Sequence, residues 1–178
     1  MMATDAARTR RAWLLMALAP ADRSYGGNDG YEDDISTFYS WNSRVPNSRA
    51  IAVGDRVVLW DKLGLLGFST VEKITTGTGT VDRRLCPTCG SADIKYRKTK
   101  SPDWRCFDCY TEFDDADTEV VEVTTFRADY GSEWVDAPGV MTAAEVRRLA
   151  LSPRSQHAMR EADWQVVQDA LVSKGRQA

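Results

Sequence analysis

Histidine is nearly absent: His157 is the only one in 178 residues. Multi-His metal catalysis is excluded, an HNH-type nuclease centre lacks its histidines, and a Ser-His or Cys-His mechanism has only that residue to use. Also lacking is any apolar run near the roughly 20 residues a membrane-spanning helix requires. Excess charge of one sign is missing too. Lys and Arg total 23 against 26 Asp and Glu, a net −3. That balance argues against DNA binding by bulk charge and leaves room only for a local basic face. With no convincing carboxylate–carboxylate–lysine set and no internal repeat, the chain reads as a non-enzyme whose catalysis, if any, comes from a partner or a fused domain. What is present is 43% hydrophobic residues, enough to bury a core in one ordinary domain carrying a small insert.

Cysteine is confined to one window. Cys86-Pro87-Thr88-Cys89 and Cys106-Phe107-Asp108-Cys109 form Cys-x₂-Cys-x₁₆-Cys-x₂-Cys, the spacing of a four-thiolate zinc site. A two-residue gap lets both thiolates of a turn reach one ion, and two such knuckles joined by a hairpin close a tetrahedron. Such a site is structural and leaves no position for a catalytic water. The alternatives are two disulfides, which need an oxidising compartment, or free core thiols. The N-terminus bears on that choice. Arg8, Arg10 and Arg11 precede Ala12–Ala19, a run that loosely mimics a secretory leader. Trp13 and Asp5 sit awkwardly in one, so the run reads as a buried first strand and the cysteines as those of a cytoplasmic protein.

The expected zinc ribbon, residues 82–117, is unevenly charged. From Arg83 to Arg105 there are seven basic residues, among them Arg97, Lys98 and Lys100, and two acidic ones; from Cys106 to Glu122 there are seven acidic and none basic. Its basic hairpin, carrying Tyr96 and Trp104, suits a phosphate backbone with a ring offered for stacking. The alternative is a solvated ribbon whose halves attract each other.

Residues 1–11 read as a disordered tail, and Pro20 to Tyr31 as a Gly- and Asp-rich loop after the first strand, 12–19. A helix or turn is expected near Asp33–Tyr39. Gly54-Asp55 predicts a tight turn before a strand at 57–60, with a second strand over Gly64–Ile74. Thr75–Thr80 reads as a linker, and Glu119–Phe126 alternates as a half-buried strand. Thr142-Ala143-Ala144-Glu145 predicts a capped helix through Leu151, and Ala162 to Leu171 a final amphipathic helix. The fold class is α+β: a small curled sheet or barrel formed by 12–81 and 118–173, with peripheral helices and the ribbon inserted.

The block Tyr39-Ser40-Trp41-Asn42-Ser43-Arg44-Val45-Pro46-Asn47, followed by Ile51, Val53-Gly54-Asp55, the 57–60 strand and Gly67, resembles the PUA-like superfamily, nearest its EVE, ASCH, YTH and SRA branches. The stretch Met141–Leu151 with Arg154–Arg160 resembles the C-terminal part of EVE-type domains. The ribbon is a departure from the common EVE and YTH pattern. The resemblance implies a reader of a modified base in double-stranded DNA, 5-methylcytosine foremost, flipped into an aromatic pocket. It also implies a link to modification-dependent restriction through a nuclease partner. On that reading Tyr39, Trp41 and Trp60 supply ring faces, and Asn42, Ser43 and Asp61 the base-edge contacts. Arg44, Arg97, Lys98, Lys100, Arg154, Gln156, His157 and Arg160 meet the backbone. The alternatives are core packing for the rings, a solvated helix face for the late arginines, and a ribbon protein that binds single-stranded RNA.

Overall fold

A computed structural model describes residues 11–17 and 34–176. The expected tail (save Arg11) and the Pro20–Tyr31 loop lie outside the described residues. The described chain is mainly β-sheet with two short α-helices, divided into two compact units. In described residues the first unit takes in 11–17, 34–77 and 124–176, and the second 78–123.

The first unit is built on β1 (Arg11–Met16), β3 (Arg56–Trp60), β4 (Leu65–Thr70), β10 (Val135–Asp136) and β11 (Met159–Asp163), in the order β10-β4-β3-β1-β11. β1 runs parallel to β3 and antiparallel to β11. Being central, β1 is buried on both faces, which is why it reads as an unbroken apolar run. Ala12 and Leu14, with Val58 and Trp60 of β3, belong to one core cluster; Trp13 and Leu15, with Val57 and Leu59, belong to the other. The strict two-residue alternation assigns these sets to opposite faces.

The first face is covered by α1 (Ala143–Arg148) and α2 (Trp164–Ser173). Thr142 and Glu145 form the expected capping box on α1. The helix stops short of Leu151, since Leu149 already caps its C-terminus. α2 buries Trp164, Val167 and Leu171, the i, i+3, i+7 stripe of a one-sided helix. It begins later than the expected Ala162, because Met159–Asp163 pairs with β1 as a strand and Asp163 caps the helix.

The second face is covered by β2 (Phe38–Asn42), β9 (Asp117–Asp129) and β5 (Lys73–Leu85), in the order β2-β9-β5. The segment expected as a helix or turn near Asp33–Tyr39 gives a turn at 35–37 and then β2. Thr75–Thr80, expected as a linker, lies inside the 13-residue β5, where its β-branched residues belong. No sheet closes into a barrel among the described residues, so of the expected curled sheet or barrel the closed form is set aside; helices, a five-stranded sheet and a three-stranded sheet make up the layers.

The Gly54-Asp55 turn anchors this stack. The Asp55 carboxylate is fully buried, and its Oδ2 accepts from Trp13 Nε1 at 2.9 Å, Arg11 Nε at 3.0 Å and the Ala52 amide at 2.9 Å. One aspartate thus ties the turn to β1. Gly67 is required for a different reason: a Cβ there would sit 2.2 Å from the Trp134 ring.

Candidate functional site

The second unit contains β6 (Ile94–Tyr96), β7 (Trp104–Cys106) and β8 (Glu112–Phe113), an antiparallel three-stranded sheet. Its core is small: Cys86, Cys106, Trp104 and Phe113, with Ile94, Tyr96, Cys109 and Ala116 packed on it. The four cysteine sulfurs all lie within 4.8 Å of one another. Cys86 to Cys109 and Cys89 to Cys106 are each 3.6 Å apart. A tetrahedral Zn²⁺ with Zn–S bonds of about 2.3 Å separates its sulfurs by about 3.8 Å. Disulfide sulfurs stand about 2.05 Å apart, so these contacts are not disulfides. The donor set fits a closed, four-thiolate zinc ion held by Cys86, Cys89, Cys106 and Cys109, and the donors themselves do not fix which metal is taken.

The two knuckles share one backbone plan. The Cys86 amide donates to Ser91 O at 2.8 Å and the Cys106 amide to Thr111 O at 2.9 Å. In each, the residue after the second cysteine is left-handed: Gly90 at φ +74° and Tyr110 at φ +61°. The thiols are electrostatically unequal. The Thr111 hydroxyl beside Cys109 Sγ, reinforced by the Thr111 amide, lowers that thiol to about 6. For Cys89 the Ser91 amide pulls downward, but the neighbouring sulfurs and burial outweigh it and push the thiol up to about 12. Four sulfurs so close cannot all ionise alone; a divalent cation resolves the conflict.

The ribbon's charges are partly spent on itself. Arg97, expected at a phosphate, pairs with Glu112 at 2.6 Å and donates to Pro102 O at 2.5 Å. Arg83 pairs with Glu119 at 2.8 Å. Lys95, Lys98 and Lys100 remain exposed. Trp104 is buried and Tyr96 packs edge-on against it at 5.2 Å, so neither is an open stacking ring. The open rings are Phe107 and Tyr110, 43% and 66% exposed, with the Arg105 guanidinium 6.0 and 5.7 Å from them. Sequence reasoning passed over both; their place within and just after the second knuckle was the available signal, since knuckle residues other than the ligands face outward.

The expected base cage is not assembled. Tyr39 and Trp41 belong to the core cluster on one face of the five-stranded sheet and Trp60 to that on the other. Trp41 is 2% exposed, stacks on Phe126 at 5.5 Å and donates through Nε1 to Ser48 O at 2.8 Å. The Tyr39 hydroxyl donates to Met16 O at 3.1 Å. The three expected edge contacts serve the fold: Asn42 Oδ1 accepts from the Arg44 amide and Asp61 Oδ1 from the Leu63 and Gly64 amides within turns, while Ser43 Oγ accepts from the Thr124 amide of β9. These rings are core because β2 alternates inward and outward, Tyr39 and Trp41 pointing in together. Of the expected backbone contacts, Arg44, Arg154, Gln156 and His157 are exposed, whereas Arg160 is buried in β11. A shallow groove of about 250 Å³ lies between Ser40, Thr75–Gly77 and Thr125–Arg127.

No family model, curated protein or solved structure matches the chain. Among the described residues no helix is long and apolar enough to cross a membrane.

Proposed function

We propose that the chain is a nucleic-acid-binding module with a structural zinc ion, gripping the phosphate backbone through the exposed face of its ribbon and reading a modified base in double-stranded DNA. The observations that support the grip are exposed groups on the ribbon: Lys95, Lys98 and Lys100, and the open rings of Phe107 and Tyr110. Ammonium groups follow phosphates without regard to sequence, and flat rings take base faces. The base-reading element rests on the resemblance of the Tyr39–Asp55 block to the PUA-like superfamily. It needs a slot other than the Tyr39, Trp41 and Trp60 cage, since those rings are core. A chain of this kind marks sites for a nuclease supplied by a partner.

One observation favours a second reading. Rings as open as Tyr110 stack on unpaired bases, which are abundant in single-stranded RNA and absent from an intact duplex. Fluorescence anisotropy separates the two. The holo-protein is titrated with a 5-methylcytosine duplex, the same duplex unmodified, and single-stranded RNA of that sequence at several salt concentrations. Tighter binding to the methylated duplex at every salt supports base reading; equal affinity for the duplexes rejects it. Preference for the RNA transfers the function to single strands. Replacing Lys98 and Lys100 together by Gln is expected to weaken all binding and to flatten the salt slope by about two. An unchanged slope removes the ribbon from the interface.

A further inference from the structure

At the C-terminal end of the parallel pair β1 and β3, three side chains are assembled with donors to spare. Trp60 ends β3 fully buried, and its Nε1 has no hydrogen-bond partner among the described residues. Arg160, 5% exposed, brings its guanidinium carbon 5.3 Å from the Trp60 ring centre and donates through Nε to His157 O at 2.8 Å; its Nη1 is buried and unpartnered among the described residues. Arg147, exposed on α1, places a second guanidinium carbon 5.7 Å from the same ring. Neither arginine has an ion-pair partner among the described residues.

The acidic groups on the surrounding elements are engaged elsewhere. Asp61 caps its own turn, Glu145 holds Lys174 and the start of α1, and Asp163 caps α2. Glu161 alternates with Arg160 along β11 and so belongs to the opposite face. The indole offsets two like charges only in part. Burial, and then Arg147, pull the Arg160 guanidinium below its ordinary value. A buried cation, two orphaned donors and a second cation at the open side call for a multivalent acceptor of negative charge.

We propose that Trp60, Arg147 and Arg160 form a receptor for a phosphate oxyanion, and that this phosphate belongs to the bound nucleic-acid strand. A tetrahedral oxyanion presents several acceptor oxygens in a small volume and matches the planar fork of a guanidinium. Arg147 is the exposed member and so the entry side; Arg160 and the Trp60 N–H are the buried donors the oxyanion would engage. The receptor itself follows from the orphaned donors, and only the source of the phosphate rests on the function proposed above.

The test uses the zinc-loaded full chain. Inorganic phosphate is titrated by calorimetry and by melting temperature against chloride at matched ionic strength. Phosphate, and not chloride, is expected to raise the melting temperature. Arg147→Gln and Trp60→Phe, the latter keeping a ring and removing the N–H, are each expected to weaken phosphate binding about tenfold, the loss of one bond to a charged group. Arg160→Met is expected to abolish the phosphate response and to melt no lower than wild type without phosphate, because the unpaired buried charge has gone. Equal responses to phosphate and chloride, or unchanged phosphate affinity in Arg147→Gln and Trp60→Phe, overturn the receptor. A 5′-phosphorylated hexanucleotide and its unphosphorylated twin, with the duplexes above, identify the source. Phosphate bound through these residues by a chain without affinity for any nucleic acid overturns the strand as its source. Nucleic-acid affinity unchanged by Arg147→Gln and Trp60→Phe, in variants that have lost phosphate binding, overturns the strand as the source and leaves both the receptor and the function standing.

Discussion

In the larger unit, Trp13, Leu15, Trp41 and Phe126 on one face of a sheet and Leu14, Trp60, Trp164 and Leu171 on the other are held by apolar burial. In the ribbon, a core of Cys86, Trp104, Cys106 and Phe113 is too small to hold a fold by that means. The ribbon instead gathers four thiols within 4.8 Å of one another, a set whose bonds to one metal ion would stand in for the missing core. One chain therefore holds two kinds of stability: one spread over many side chains, the other concentrated at a point.

Removing the metal is the largest blow to that arrangement. Structural zinc contributes on the order of 10 kcal/mol to folding of small zinc modules. Chelation, or Cys106→Ser, is expected to erase amide-exchange protection across Cys86–Phe113 while Arg56–Trp60 stays protected. Equal loss in both segments would show that the two kinds of stability are not separate. Acid acts the same way, since zinc binds thiolates and protons compete for them. Next comes Trp41→Ala, expected to cost about 3–5 kcal/mol in urea unfolding, with zinc content unchanged at one ion per chain. A loss below about 1 kcal/mol would mean that the stack on Phe126 does not support the core. Gly67→Ala drives a methyl into the Trp134 ring and is expected to cost about 1–3 kcal/mol, without altering metal content. The smallest effect belongs to Glu145, whose carboxyl is lowered to about 2 by the Lys174 ammonium and then by the Thr142 amide. A depressed carboxyl contributes stability above its ordinary value of 4.5, lost as pH falls toward about 2. Glu145→Gln is expected to flatten the melting temperature across that window; an unaltered slope would place the acid sensitivity elsewhere.

What the sequence disclosed about the molecule was mostly local. The four cysteines could be grouped because a knuckle is four residues long, and Thr142 with Glu145 because a capping box spans one turn. Gly54-Asp55 announced its turn, though not that Asp55 would bind Trp13 and Arg11. Features decided at long range were misread. Tyr39 and Trp41 lie among polar neighbours, and only pairing of β2 with Thr125–Asp129 makes them core. Met159–Asp163 has a helix-like composition, and its pairing with β1, at the other end of the chain, makes it a strand and buries Arg160. Of the candidate site, the clustering of the four cysteines was legible. The place of Trp60 beside two arginines was not, because no short stretch of chain contains all three.

The twin knuckles differ at one place. Where Gly90 sits in the left-handed region at no cost, Tyr110 holds the same backbone state against a steric penalty of about 1 kcal/mol. Glycine there would relax the turn and erase the ring. The second knuckle thus trades backbone comfort for an outward aromatic tip, and that trade distinguishes the two otherwise matching halves of the metal clasp.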